Sequence, residues 1–68
     1  MNMIPVSSSN ISSIGYEGDT LYVTFHSGAT YAYFHVPAHV YEGLMSASSH
    51  GKYLNAYVKG TYAYQKIG

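Results

Sequence analysis

The sequence predicts an α+β fold, a small antiparallel sheet in the order β-β-β-α-α-β with two short helices packed on one face. Three observations lead there. Two β-rich runs, residues 21–25 and 31–36, flank Ser27-Gly28, and alternating residues on each run differ in kind, as in an antiparallel hairpin. Beyond Pro37, the residues Val40, Tyr41, Leu44, Met45 and Ala47 recur at helical spacing. Beyond Gly60, a third β-rich run covers residues 61–67.

Residues 1–9 are serine-rich and read as an irregular lead-in, with Ile4 and Val6 able to dock on the sheet. Residues 10–16 form the first strand, directing Ile11 and Ile14 inward. Glu17-Gly18-Asp19 is a turn, because Gly and Asp supply the dihedrals and local hydrogen bonds of a reversal. Pro37 ends the third strand, having no N–H for the ladder, and presets the φ of a first helical turn. Gly43 within the helix costs about 1 kcal/mol relative to alanine, which implies close packing or weak helicity there. Ser48 or Ser49 is the N-cap of a second short helix packing through Leu54, Tyr57 and Val58, and Gly60 stops it. In the last strand Tyr62 and Tyr64 share one face, with Ala63 and Ile67 on the other. No repeat or linker divides the chain, so residues 1–68 read as one domain.

The hairpin admits two registers. A loop of two or four residues puts Leu21, Val23, Phe25, Ala32 and Phe34 on a core face, and Tyr22, Thr24, His26, Tyr31, Tyr33 and His35 on an aromatic, amphipathic face. A three-residue loop with a bulge at Gly28 shifts the parity and turns Tyr31 and Tyr33 inward, because the side-chain period is two. The first register is the expectation adopted.

With 68 residues the chain has little volume for a deep private cleft and only marginal independent stability. A sizeable site is therefore expected on the surface or shared between copies. There is no cysteine, so no disulfide, thiolate chemistry or Cys-based zinc site is available. Lys52, Lys59 and Lys66 balance Glu17, Asp19 and Glu42, with no arginine, and so neutral a chain tends to self-associate. Nine tyrosines and two phenylalanines exceed what a core of this size needs, and tyrosine combines contact area with a hydrogen-bonding tip. No apolar run reaches membrane-spanning length and no signal peptide is recognisable, which makes the cytoplasm the expected compartment.

Several ordered motifs carry a resemblance. Ser-Ser-Asn-Ile-Ser-Ser-Ile-Gly-Tyr-Glu, Leu-x-Val-x-Phe-x-Ser-Gly-x-x-Tyr-x-Tyr, Val-Pro-x-x-Val-Tyr-x-x-Leu-x-x-Ala and Ser-His-Gly-Lys-Tyr-Leu-Asn-x-x-Val together resemble the KTSC domain over residues 7–67. The resemblance implies a domain found at the C-terminus of some lysyl-tRNA synthetases and in small stand-alone bacterial and phage proteins, for which RNA binding has been suggested. Members of that family often carry Arg or Lys in the final strand, where this chain has Thr61-Tyr62-Ala63-Tyr64-Gln65-Lys66.

The residues offer little catalytic machinery. No nucleophile elbow, His-Glu-x-x-His or phosphate loop is present, and Gly51-Lys52 lacks the upstream glycine of a Walker motif. The chain is therefore expected to be non-catalytic and to need no cofactor. His35 and His39 are four apart, but Pro37 lies between them, and His26 meets His35 only loosely across the hairpin, so no metal site is assigned.

Two groups remain. Ser48, Ser49, His50 and Lys52, with the first free N–H groups of the second helix, converge on a point suited to a phosphate, and Tyr53 follows directly; the competing reading is a plain helix cap. Tyr22, Tyr31, Tyr33, Tyr62 and Tyr64, with His35 beside them, form an aromatic sheet face on which a base can stack; the competing reading is a self-association surface. The expected function is binding of a small nucleotide-like ligand on that face or in a pocket between two copies reached by Lys52, as in a phage-type protein sequestering a nucleotide signal of a host defence system in the host cytoplasm. The alternatives are a module for short single-stranded RNA or tRNA, and a homo-oligomeric or host-protein-binding structural module. Three lysines are a thin supply for a long polyanion, which ranks the compact ligand first.

Overall fold

The computed structural model describes residues 2–68 as a five-stranded antiparallel sheet with helices covering one face. In chain order the elements are β1 (Ile4–Pro5), β2 (Ile11–Glu17), β3 (Thr20–Phe25), β4 (Thr30–Tyr33), α1 (Ala38–Ser46), α2 (His50–Tyr53), a π-helical turn (Leu54–Val58) continuing α2, and β5 (Tyr64–Lys66). The sheet order is β1-β2-β3-β4-β5. The α+β class and the pair of helices on one face are as the sequence predicts. The lead-in is more ordered than expected: Ile4 pairs with Ile14 and Pro5 with Ser13, adding an edge strand of two residues.

The register of the β3–β4 hairpin corrects the expectation. Leu21 faces Tyr33, Val23 faces Tyr31 and Thr24 faces Thr30. The Phe25 N–H donates to the Ala29 carbonyl and the Gly28 N–H to the Phe25 carbonyl, both at 2.9 Å, so the loop has three residues, His26, Ser27 and Gly28. Gly28 lies at φ 97°, a left-handed conformation that a side chain resists. Tyr31 and Tyr33 therefore join Leu21, Val23 and Phe25 on the helix-covered face, while Tyr22, paired with Ala32 and Gly15, occupies the opposite one. Phe34, expected inward, is only half-buried beyond the end of β4, where its N–H donates to the Ala63 carbonyl.

Ile11 and Ile14 of β2, Leu21 and Val23 of β3, Tyr33 of β4, Val36, and Val40, Leu44, Leu54 and Val58 of the helices form one buried cluster. Val36 reaches it because its N–H donates to the Asp19 carbonyl at 2.8 Å, tying the end of the hairpin to the β2–β3 turn. Tyr16 stacks on Tyr41, with centroids 4.7 Å apart, and its hydroxyl donates to the Val36 carbonyl.

α1 starts after Pro37, and Ser49 caps α2 by accepting from the Lys52 N–H at 3.3 Å. Tyr57, expected to pack inward, is 59% exposed and leans on Tyr53 at 4.7 Å. The last turn is widened, with the Lys59 N–H donating to the Leu54 carbonyl, so only Leu54 and Val58 point at the sheet. β5 is also shorter than predicted, because Thr61 and Tyr62 fold back and both donate to the Val58 carbonyl. Tyr62 thereby packs on the core instead of pairing in the strand.

Gly43 is a close approach: a Cβ there would run into the Tyr53 hydroxyl and lie 2.7 Å from its ring carbon Cζ. Gly43→Ala is expected to lower the melting temperature of the native sequence although alanine is the better helix former. In a Tyr53→Ala background the same change should raise it, and an equal sign in both backgrounds would overturn this account of the contact.

Burial, then the neighbouring phenols of Tyr31 and Tyr64, push the Tyr33 hydroxyl above the ordinary tyrosine range. The folded state thus holds this proton more tightly than the unfolded chain. Its contribution is fully present below about pH 10 and is lost as pH rises further. Tyr33→Phe should move the alkaline unfolding midpoint, followed by circular dichroism, to higher pH; an unchanged midpoint would assign the transition to another group.

Candidate functional site

The corrected register builds a site at one end of the sheet. Phe25 closes β3, Tyr31 and Tyr33 stand on β4, and Tyr64 stands opposite Tyr33 on the edge strand β5. All four belong to the helix side of the sheet, but α1 and α2 do not reach that end, so the rings wall an open groove of about 600 Å³. Ser27 and Ala29 of the hairpin loop and Lys59 and Gly60 of the turn after α2 complete its lining. This volume falls in the range of small-molecule sites, roughly 300–1,000 Å³.

The rings order one another. Phe25 meets Tyr31 edge to face at 5.8 Å, and Tyr64 lies 5.9 Å from both Tyr31 and Tyr33. Tyr33 is 3% exposed and anchors the floor, whereas Tyr64 is 61% exposed and offers its ring to solvent. The π-helical turn delivers Lys59, whose ammonium sits 5.3 Å from the centre of the Phe25 ring. Lys66 pairs with Tyr31 across β4 and β5, which places a second lysine on the same face. The groove lining contains no carboxylate.

The carboxylates gather at the other end of β3. Glu17 and Asp19 flank the β2–β3 turn, and Glu42 acts with Asp19 on Tyr16, whose phenol is pushed up by burial and then by these two charges. Lys59 thus lines the groove, Lys66 stands on the same sheet face beside Tyr31, and the three acids lie around the β2–β3 turn.

The site residues read from the sequence are divided. Tyr31, Tyr33 and Tyr64 come together in the groove. Tyr22 lies on the opposite sheet face, which corrects the single aromatic face expected. His35 sits at the acidic end, its Nδ1 3.3 Å from Asp19 Oδ2. His26, far from His35, donates from Nε2 to the Ser8 carbonyl at 2.9 Å. Tyr62 serves the core, and Tyr53 packs against Gly43 and Tyr57.

Ser48, Ser49 and His50 do meet, joined by Ser7, Ser8 and Ser9 around a polar hollow of about 320 Å³. No lysine lines it, the Lys52 N–H is taken by Ser49, and His50 donates its Nδ1 proton to the Leu44 carbonyl at 2.8 Å. The expected convergence of Lys52 on this point is not found.

Sequence reasoning missed Lys59, Phe25, Ser27, Ala29 and Gly60 as site residues. Phe25 at the end of a strand beside Gly28 was visible as a core residue; nothing local marks Lys59. Among the described residues, no group of three His, Cys, Asp or Glu side chains is placed to hold a metal ion, and no helix is long and apolar enough to cross a membrane.

Comparison with known proteins agrees with the architecture. A KTSC domain protein from Yersinia pestis superposes with a TM-score of 0.94 at 40% identity, covering 98% of this chain and 97% of its own. A protein from Tsukamurella paurometabola is 42% identical over 59 residues, 84% of this chain and 88% of that protein. A lysine–tRNA ligase from Nostoc punctiforme is 40% identical over 48 residues, which is 71% of this chain but 9% of the enzyme. The KTSC domain pattern itself matches residues 7–62. With that match across most of its length, and a close likeness in both sequence and fold, the chain belongs to the KTSC domain family.

Proposed function

We propose that this chain is a non-catalytic binding module that stacks the base of a small nucleotide-like ligand in the aromatic groove and meets its phosphate with Lys59 and Lys66. The observation that carries this reading is an exposed ring, Tyr64, in a groove lined by Lys59 and by no carboxylate, with Lys66 on the same sheet face, in a molecule of zero formal net charge. Base stacking on an aromatic side chain contributes roughly 1–3 kcal/mol. One or two phosphate contacts add to it without requiring the long basic track of a polymer site. Where such a module stands alone, its action is sequestration: it withholds a nucleotide signal from a receptor, a host defence signal if the chain is phage-encoded.

Short single-stranded RNA is the second reading, favoured by the stretch shared with the lysine–tRNA ligase, an enzyme whose name states a tRNA substrate. Isothermal titration separates the two. A mononucleotide or cyclic dinucleotide should bind and be recovered unchanged after denaturation, and Tyr64→Ala should weaken binding about tenfold or more with the circular dichroism spectrum intact. Binding of RNA alone, with a steep loss of affinity as salt rises, would select the second reading. No binding of either, with a Tyr64→Ala change in sedimentation, would instead make the groove a contact between copies.

A further inference from the structure

We propose that Lys59 is a displaceable cation that sets which ligands the groove admits: in the free protein it rests on the face of Phe25, and it leaves that face only for a ligand that brings its own anionic group. The inference rests on the nucleotide reading above and deepens it. Lys59 Nζ lies 5.3 Å from the Phe25 centroid, so the cation occupies a ring that an incoming base would otherwise contact. The backbone beneath it is fixed, since the Lys59 N–H is committed to the Leu54 carbonyl at 2.9 Å. The stem above it is free to swing. Space beside the neighbouring Gly60 is open, with no atom within 4 Å of where a Cβ would stand, and no carboxylate lines the groove to capture the ammonium.

An exposed ammonium resting on a half-buried ring is held weakly, whereas a charge-assisted hydrogen bond to phosphate is stronger and shorter. A phosphate near the groove mouth therefore draws the ammonium off the ring. Phe25 itself stays in place, because its edge-to-face contact with Tyr31 holds it from the other side. A neutral ring compound gains nothing in exchange for moving the lysine, so it must either leave Phe25 covered or strand the cation. Lys66, opposite Tyr31 on the same face, adds attraction for the anion but lies over no ring of the groove wall in this arrangement. The ligand class this favours is a flat base carrying a phosphate close to its sugar, as in a nucleoside monophosphate or a cyclic nucleotide. Bases and nucleosides without the anionic group are discriminated against.

Nuclear magnetic resonance with adenosine and adenosine 5′-monophosphate as probes tests this on the full chain. In the free protein the Lys59 ε-methylene protons should be shifted upfield by the Phe25 ring current. Adding the monophosphate should move them downfield while Phe25, Tyr31 and Tyr64 resonances shift with them, whereas adenosine should leave the Lys59 protons where they are. The monophosphate should bind roughly ten- to hundredfold more tightly than adenosine. Lys59→Met, which keeps the apolar stem, should bring the two affinities close together, while Lys66→Met should weaken the monophosphate yet leave the Lys59 displacement visible. If the tyrosine resonances respond to the monophosphate and Lys59 remains on Phe25, the inference fails while the groove reading stands. If no groove resonance responds to either probe, both fail.

Discussion

Gly28 holds a φ of 97°, and this dihedral sets the direction of every side chain on β4. A three-residue loop closed by a left-handed residue brings Phe25 opposite Ala29, and from there the pairing runs back residue by residue to Leu21 and Tyr33. With one residue more or fewer in the loop, the two β4 tyrosines would stand on the uncovered face with Tyr22. They stand instead beside the aliphatic core. One ring is buried in it, the next is half-covered, and β5 adds a third that faces solvent.

The helices complete the arrangement by being too short to cover the whole sheet. Val40, Leu44, Leu54 and Val58 seal the β2–β3 side of the sheet, where Ile11, Ile14, Leu21 and Val23 are fully enclosed. Past Val58 the chain turns away through Gly60, and the remaining aromatic surface is left as the wall of a groove. The same side chains thus shape both core and groove: Tyr33 fills core volume and orders Tyr64, whose outer ring face stays exposed. A large amphipathic ring suits this double duty better than an aliphatic side chain, because its polar tip tolerates the wet edge of the sheet.

Most of the architecture could be read from the residues themselves. Ile11 and Ile14, the Gly18 turn, the helix after Pro37, the Ser49 cap and the close approach at Gly43 each leave a local chemical signature, and each is present. The loop parity did not: Ser27-Gly28 between β-rich runs admits loops of two, three or four residues, and reading Gly28 as a simple turn residue favoured the wrong parity. β1 is too short to show periodicity, and its pairing depends on Ile14 already being in place. Of the groove, Tyr31, Tyr33 and Tyr64 were legible as excess aromatic surface. Lys59 was not, since its place over Phe25 comes from one widened helical turn that nothing in Leu54-Asn55-Ala56-Tyr57-Val58 announces.

The separation of the acids at the β2–β3 turn from Lys59 and Lys66 on the groove face has an effect that a formal net charge of zero conceals. It gives this small molecule an electric moment that the sum of its charges does not record. An approaching anion meets a repulsive pole from one side and an attractive one from the other, so the protein turns to present its aromatic end before contact is made. Encounter rates with charged molecules will then respond to ionic strength as they do for a charged protein, even at the isoelectric point, because screening acts on separated poles as well as on their sum.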